Sequence, residues 1–404
     1  MNLELFISRR LQKTNLHNNF YSGSIIKICN IAITISVVVI IITISTGLGL
    51  KKTITQNLIN TQSNIQITNL NKNNETKYIS VNKKKLSQIK EIHGVKAIHP
   101  IILKSVILKK NNLIEGVILK GINQDYKKKF IEQNIVSGTY FVENKTNQIL
   151  ISYQQSKKLN LHPGDHCLLY FLSKNKNIQK RKFNIVGIYD LKNEEFNKNF
   201  CLVQQSELQK INKWKDNHFT KFEVEIDENN YGEKIAKEIN KILEYNLIAQ
   251  TLNEKFSKLF QWIKLFDKNI AFILIIMTLI CILNMTNTLL ILIVDRIKMI
   301  GTLKSIGFTN YSIIKIFLYN SMSIAIKSII IGNLIALIIC FIQMKTNLIV
   351  LDPKSYFINY LPMTIDIKWI IIINTITFIL IQFSIIVPYF VINRLSPAKI
   401  LKVE

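Results

Sequence analysis

Four long apolar stretches, 28–50, 270–294, 313–341 and 369–392, divide the chain very unevenly. Each reaches the roughly 20 apolar residues that an α-helix needs to cross about 30 Å of hydrocarbon. A long run of mixed, soluble-looking sequence separates the first stretch from the second, and the remaining gaps are short. The pattern predicts an α-helical membrane protein with four transmembrane helices, one plus three, and a large α+β domain inserted between spans one and two. The expected divisions are an amphipathic segment 1–27, a span 28–50, the inserted domain 51–268 and a second span 269–294. A loop 295–312, a span 313–341, a loop 342–368, a span 369–392 and a tail 393–404 complete the chain.

Inside 51–268 the hydrophobic period changes repeatedly. Residues 220–227 read T-K-F-E-V-E-I-D, with Phe222, Val224 and Ile226 on one face and charges on the other, the alternation of a half-buried strand. The runs 101–108 and 113–119 are joined by Lys109-Lys110-Asn111-Asn112 as a hairpin, and 167–172 with 182–189 form another, whose polar tip is 173–181. Helical periods appear at 82–92, 154–160 and 232–245. The outer parts, about 60–124 with 218–250, are expected to form one lobe and 125–217 a second. Asn2 to Lys13 set Leu3, Phe6, Ile7 and Leu11 on one stripe opposite Glu4, Arg9, Gln12 and Lys13, which suits a helix lying in a membrane interface.

Composition changes this picture little. The net charge of +26 invites a nucleic-acid reading, but Lys is used heavily alongside Ile and Asn, as in AT-rich coding, and no aromatic stacking platform interleaves with it. No nucleic-acid partner is expected. The first apolar stretch exceeds the core of about 7–15 residues in a signal peptide and ends Ser45-Thr46-Gly47-Leu48-Gly49-Leu50, so it is read as a retained anchor. Arg9, Arg10, Lys13 and Lys27, then Arg296, Lys298 and Lys304, then Arg394, Lys399 and Lys402 fall on one side by topology. The positive-inside rule makes that side, with both termini, cytoplasmic. Cys29, Cys281 and Cys340 lie in spans as small apolar residues, whereas Cys167 and Cys201 share the inserted domain and could pair in an oxidising compartment.

Catalytic chemistry is hard to find. The nearest spacing to a phosphate loop, Gly116 to Gly121, is followed by Ile122 and Asn123 where Lys and Ser/Thr are needed, and it reads as a strand. His162, Asp165 and His166 are a metal-like cluster, but Pro163-Gly164 demands a tight turn that splays them, so Gly164 and Asp165 are read as a structural turn. His17, His93, His99 and His218 are scattered, and no Asp or Glu lies within a span to carry a proton relay. Lys327, in the third span, either faces a subunit interface, meets a headgroup, or marks a shifted span boundary. Asn284 and Asn287 are expected to hydrogen-bond between helices.

The loop after the second span carries more information. From Val294 it reads V-D-R-I-K-M-I-G-T-L-K-S-I-G-F, in which Ile300, Leu303 and Ile306 recur at three-residue spacing beside Met299, and Gly307 permits a sharp turn. A short helix of this kind can fill a groove in a cytoplasmic partner. Here the chain resembles permeases of the FtsX/MacB-like ABC superfamily, whose coupling loop matches Asp295, Arg296, Ile300, Gly301, Leu303, Lys304 and Gly307. Lys298 lies within the same loop, and Met299 stands where the family commonly has an acid. Pro388, Pro397, Ile400 and Leu401 keep the family's C-terminal spacing, with Phe390 and Val391 at commonly basic positions. Glu4-Leu5-Phe6-Ile7-Ser8-Arg9-Arg10-Leu11 narrows the resemblance to the lipoprotein-releasing LolC/LolE family. Gly121-Ile122, Gly138, Leu161, Gly164-Asp165 and Ile185-Val186-Gly187-Ile188 are similar to its periplasmic domain.

The resemblance implies a non-catalytic permease of the bacterial inner membrane. A LolD-like cytoplasmic ATPase dimer would bind ATP and Mg and push on the coupling loop, this chain holding no cofactor or metal itself. A second LolC/LolE-like permease, membrane lipids, a lipoprotein substrate and a periplasmic LolA-like carrier complete the implied partners. Lipoprotein would be extracted from the outer leaflet by mechanotransmission, since each buried CH₂ of an acyl chain holds it by about 0.8 kcal/mol. Asn175 and Asn177, at the tip, would be the carrier contact. That tip is short and lacks the Pro of a LolC-type hook, which favours a LolE-like role or a merged form of the two. The competing expectations are a related permease for cell-division signalling or toxin export, and, in another class, a membrane-anchored sensor.

Overall fold

A computed structural model of the chain describes residues 3–15, 20–70, 78–143, 145–172, 178–227, 231–352 and 358–394. The expected carrier residues Asn175 and Asn177 lie outside the described residues, as do Pro397, Ile400 and Leu401. In chain order the helices are α1 (Leu3–Asn15), α2 (Phe20–Gln62), α3 (Lys83–Lys90), α4 (Lys128–Gln133), α5 (Tyr153–Leu159), α6 (Glu194–Asn199) and α7 (Gln205–Asn212). They continue as α8 (Gly232–Ile242), α9 (Leu252–Lys255), α10 (Ser257–Asp295), α11 (Ile297–Ser305), α12 (Asn310–Thr346), α13 (Ile367–Gln382) and α14 (Ile386–Arg394). The strands are β1 (Ile65–Asn69), β2 (Val95–Lys110), β3 (Leu113–Ile122), β4 (Ile135–Gly138), β5 (Gln148–Ser152), β6 (His166–Leu172), β7 (Ile178–Tyr189), β8 (Phe200–Gln204), β9 (Lys221–Ile226) and β10 (Leu247–Thr251). The chain divides into two compact units, Met1–Lys51 with Ile263–Ile349 and Leu361–Glu404, and Lys52–Trp262 with Val350–Tyr360.

The first unit is helical. Among the described residues of the chain, four helical stretches, Ser24–Gln62, Ser257–Asp295, Asn310–Thr346 and Ile367–Asn393, are long and apolar enough to cross a membrane. The first three overrun the apolar stretches read from sequence. At 1.5 Å per residue α2 alone is about 65 Å long, twice the hydrocarbon thickness. The fourth is broken by a 3₁₀ turn at Phe383–Ile385. The cause is Pro388, which has no N–H to give the Ser384 carbonyl four residues back. Thr286 of α10 supplies the missing donor, its hydroxyl lying 3.3 Å from that carbonyl.

Polar side chains join the apolar helices elsewhere. Ser328 on α12 donates to Asn30 of α2 at 3.0 Å, Ser321 to Gln382 at 2.8 Å, and Asn374 on α13 to Asn333 at 2.9 Å. Each bond is worth about 0.6–2 kcal/mol in lipid. Gly332 lets α12 approach α2, since a Cβ there would lie 2.9 Å from Val37. Lys327 is exposed, beside the Ser328 that bonds Asn30 near the start of the apolar part of α2. The helix beyond it is about 29 Å long, which by length is enough to cross the hydrocarbon without Lys327.

The second unit is α+β. Strands β10, β1, β9 and the first half of β2 form an antiparallel sheet, with α3 and α8 against it. The second half of β2 turns into a closed ring, β2–β3–β8–β5–β7–β6 and back to β2, in which β3–β8 and β5–β7 are parallel. The expected strand, hairpin and helix at 220–227, 101–119 and 232–245 are present as β9, β2–β3 and α8. The lobe boundary is not at residue 124, however. It falls inside β2, because β2 pairs β9 up to Ile101 and β3 from Ile102, which carries β3 into the ring.

Gly138, at the end of β4, shows how closely that strand lies against β7 of the ring. Its φ is +83°, and an added Cβ would sit 2.4 Å from the Val186 carbonyl oxygen. Gly164 has φ +91° but open space around it. Gly138→Ala should therefore cost more than the about 1 kcal/mol expected from backbone strain alone, and Gly164→Ala only about that much. Urea unfolding of the two variants ranks them.

Candidate functional site

The candidate coupling segment begins where α10 ends at Asp295 and runs through α11 to the start of α12. Gly307, at φ +96°, makes the turn, and Thr309 caps α12 by accepting from the Ser312 N–H at 3.2 Å. The apolar stripe of α11 does not face outward. Ile300 is wholly buried, Gly301 is buried, and Leu303 and Phe308 pack into the core of the helical unit with Ile293 and Ile313. Met299 is half-buried. Lys304 donates to the Ile392 carbonyl at 2.8 Å, one of the last carbonyls of α14, where a cation meets the negative end of a helix. Burial there holds the Lys304 pKa below its ordinary value.

The outward face of the segment is therefore Asp295, Lys298, Thr302, Ser305, Ile306 and Gly307, with Arg296 half-exposed. Ile306 is 72% exposed. Of the residues expected to couple to a partner, Ile300, Gly301 and Leu303 hold the segment in place. A Gly301→Glu change would strike the protein's own core before it tested any docking. Thr302 and Ser305 lie on this face but off the apolar stripe, and a stripe alone does not tell which side of a helix is covered.

At the outer turn, Gly164 takes its left-handed conformation and the Asp165 carboxylate accepts from the His162 N–H at 3.1 Å and from Lys110. The Lys110 bond, with the His162 N–H next, holds the Asp165 pKa below the usual carboxylate range. His162, Asp165 and His166 form no ligand set, and no cluster able to hold a metal occurs among the described residues. Cys167 and Cys201 are buried free thiols.

The strongest electrostatic feature is one the alternation of β9 concealed. Its charged face is not solvated: Lys221 and Glu223 are 5% and 0% exposed. Lys120 from β3, 1% exposed, lies 2.9 and 3.0 Å from the two Glu223 carboxylate oxygens. Lys221 approaches Glu223 at 2.7 Å, and the Tyr126 hydroxyl donates to it at 2.5 Å. Burial disfavours the Glu223 carboxylate, but the Lys120, Lys221 and Lys127 ammonium groups outweigh it and hold its pKa well below the usual range. Burial, opposed by Glu223, pulls Lys120 down to about 7. A lysine inside the apolar run Val117-Ile118-Leu119-Lys120 was the available signal.

Two family models match the chain. Residues 29–242 match the MacB-like periplasmic core domain and 271–397 the FtsX-like permease C-terminal domain. The chain belongs to the FtsX/MacB-like permeases of ABC transporters. It is 28% identical to the lipoprotein-releasing system transmembrane protein LolC of Buchnera aphidicola subsp. Acyrthosiphon pisum, over 100% of this chain and 99% of that one. Identity to the LolC protein of Buchnera aphidicola subsp. Schizaphis graminum is 25%, over 94% of each chain. The periplasmic region of MacB from Actinobacillus actinomycetemcomitans superposes with a TM-score of 0.35 and 14% identity, covering 52% of this chain and 98% of that one. Both LolC relatives carry the name that the short, proline-free tip argued against.

Proposed function

We propose that the chain is the permease subunit of an ATP-driven complex that extracts lipoproteins from the outer leaflet of the inner membrane and passes them to a periplasmic carrier. The observation that carries this reading is end-to-end similarity to two relatives named as lipoprotein-releasing LolC proteins. In the proposed topology both termini are cytoplasmic, and the α+β domain lies in the periplasm between spans one and two. A LolD-like ATPase binds ATP and Mg and docks on the outward face of the coupling segment. A second LolC/LolE-like permease completes the complex, and a LolA-like carrier takes the cargo.

The physical argument for a mechanical device is the make-up of the helical unit. The apolar stretches 28–50, 270–294, 313–341 and 369–392 contain no Asp or Glu to relay protons, Asp267 and Asp295 of α10 lying outside them. What the unit does offer is the Lys304 bond between α11 and the end of α14, so a push on α11 is felt by the fourth apolar helix as well as by α10 and α12. Motion rather than chemistry is the output such an arrangement favours. The test is reconstitution of the chain with its ATPase and second permease in proteoliposomes holding a triacylated lipoprotein. ATP-dependent transfer of that lipoprotein to a soluble carrier is expected. ATP hydrolysis with no transfer of any lipoprotein would overturn the cargo assignment.

A further inference from the structure

We infer that the α+β domain grips the end of α2 in a charged socket, with Lys120 and Lys127 as the positioning residues. This deepens the permease reading, in which α2 is the first span. The last carbonyls of a helix have no partner within it. In α2 they are taken by ammonium groups: Lys127 donates to the carbonyls of Ile59 and Asn60, the latter at 3.1 Å, and Lys120 to that of Thr61 at 2.8 Å. These groups and the strands behind them all belong to the second compact unit.

Two features separate a grip from ordinary helix termination. Termination is already achieved by Ser63, whose φ of +58° reverses the chain and whose N–H reaches the Ile59 carbonyl at 2.8 Å. The lysines are additional. The charges also fail to balance without the helix. Lys120, Lys127 and Lys221 face Glu223 and Glu225, with Lys127 3.8 Å from Glu225, so three basic side chains share two carboxylates, and Lys120, Lys221 and Glu223 are buried. The end of α2 contributes about half a negative charge. It is therefore part of the set, and withdrawing it strands buried ammonium groups.

The groups surrounding the set are consistent with this. Tyr126 bridges Lys120 and Glu223, and Lys255 bonds the Gln66 amide oxygen that also receives Lys221. His99 stands 3.6 Å from Glu225, with burial holding its pKa down against the attraction of that carboxylate. A helix so held can transmit a pull to the domain without fraying at its last turn.

The test uses the full chain in lipid nanodiscs, with no ATPase and no cargo, and reads amide hydrogen exchange in peptides covering 57–64. Lys120→Met, Lys127→Met and the double variant are compared with the unaltered chain and with Lys127→Arg. The expected result is exchange at residues 59–63 at least ten-fold faster in the double variant, unchanged exchange in β5 and β7, and near-normal behaviour in Lys127→Arg. Unaltered exchange in the double variant overturns the grip. Equal acceleration through β5 and β7 overturns it too, since the lysines would then serve only the stability of the domain. No step of this test depends on lipoprotein release, so failure here leaves the permease assignment standing, and failure of release leaves the grip standing.

Discussion

Glu223→Gln is expected to be the most damaging single substitution in the α+β domain. It leaves Lys120 and Lys221 buried, 1% and 5% exposed, with no carboxylate between them. Removing one partner of a buried pair costs about 3–5 kcal/mol, because the penalty of desolvating the other charge remains. Glu225→Gln should cost less, since the Glu225 side chain is 21% exposed and water can screen its neighbours. The same carboxylate sets a pH dependence. Its folded pKa lies below the unfolded value, so its contribution is fully present above the ordinary carboxylate range. It is lost as pH falls, because the unfolded chain takes up the proton first. Urea unfolding at pH 7 and near pH 4 should show the unaltered protein weakening on acidification, and the gap to Glu223→Gln narrowing.

If a LolD-like ATPase docks on the outward face of α11 as proposed, Ile306→Asp is expected to weaken that docking strongly while leaving the permease folded. The side chain is 72% exposed, so nothing in the protein's own core depends on it. A large apolar residue left uncovered on an outward face is suited to anchor a partner, and losing such an anchor costs about 2–4 kcal/mol, roughly 30- to 1,000-fold in affinity. Ile300→Asp is the contrast. Ile300 is 0% exposed among Ile293, Leu303 and Ile313, and a charge there should lower the melting temperature before any partner is added. Binding of the ATPase to permease in nanodiscs, measured beside thermal unfolding, separates the two. Normal binding by Ile306→Asp would move the docking site away from this face.

These two residues also mark where sequence patterns stopped being informative. Period-three recurrence predicted a short helix at α11 and named Ile300, Leu303 and Ile306 together. It could not say that the first two pack inward while Ile306, at the C-terminal cap, points out. The alternation of β9 identified the strand, yet it assigned Lys221 and Glu223 to solvent. Alternation reports two faces of different polarity, not which of them is covered. A second layer, here the end of α2 with Lys120 and Tyr126, can cover the polar face if every charge finds a partner. The Gly164 turn was legible because φ > 0 at Pro-Gly is a local requirement.

By itself, the sequence determined the four apolar helices, the strands β2, β3, β6, β7 and β9 and the helices α3, α5 and α8 of the α+β domain, and the short helix that follows the second apolar stretch. Those features follow from hydrophobic period and turn chemistry, which act over a few residues at a time. Only the tertiary structure decided that β2 divides between an open sheet and a closed ring, that Pro388 splits the fourth helix against Thr286, and that α2 ends among buried lysines. Each depends on contacts between residues far apart in the chain. Strand closure, an orphaned carbonyl and an unbalanced charge are resolved by whichever distant group arrives to meet them.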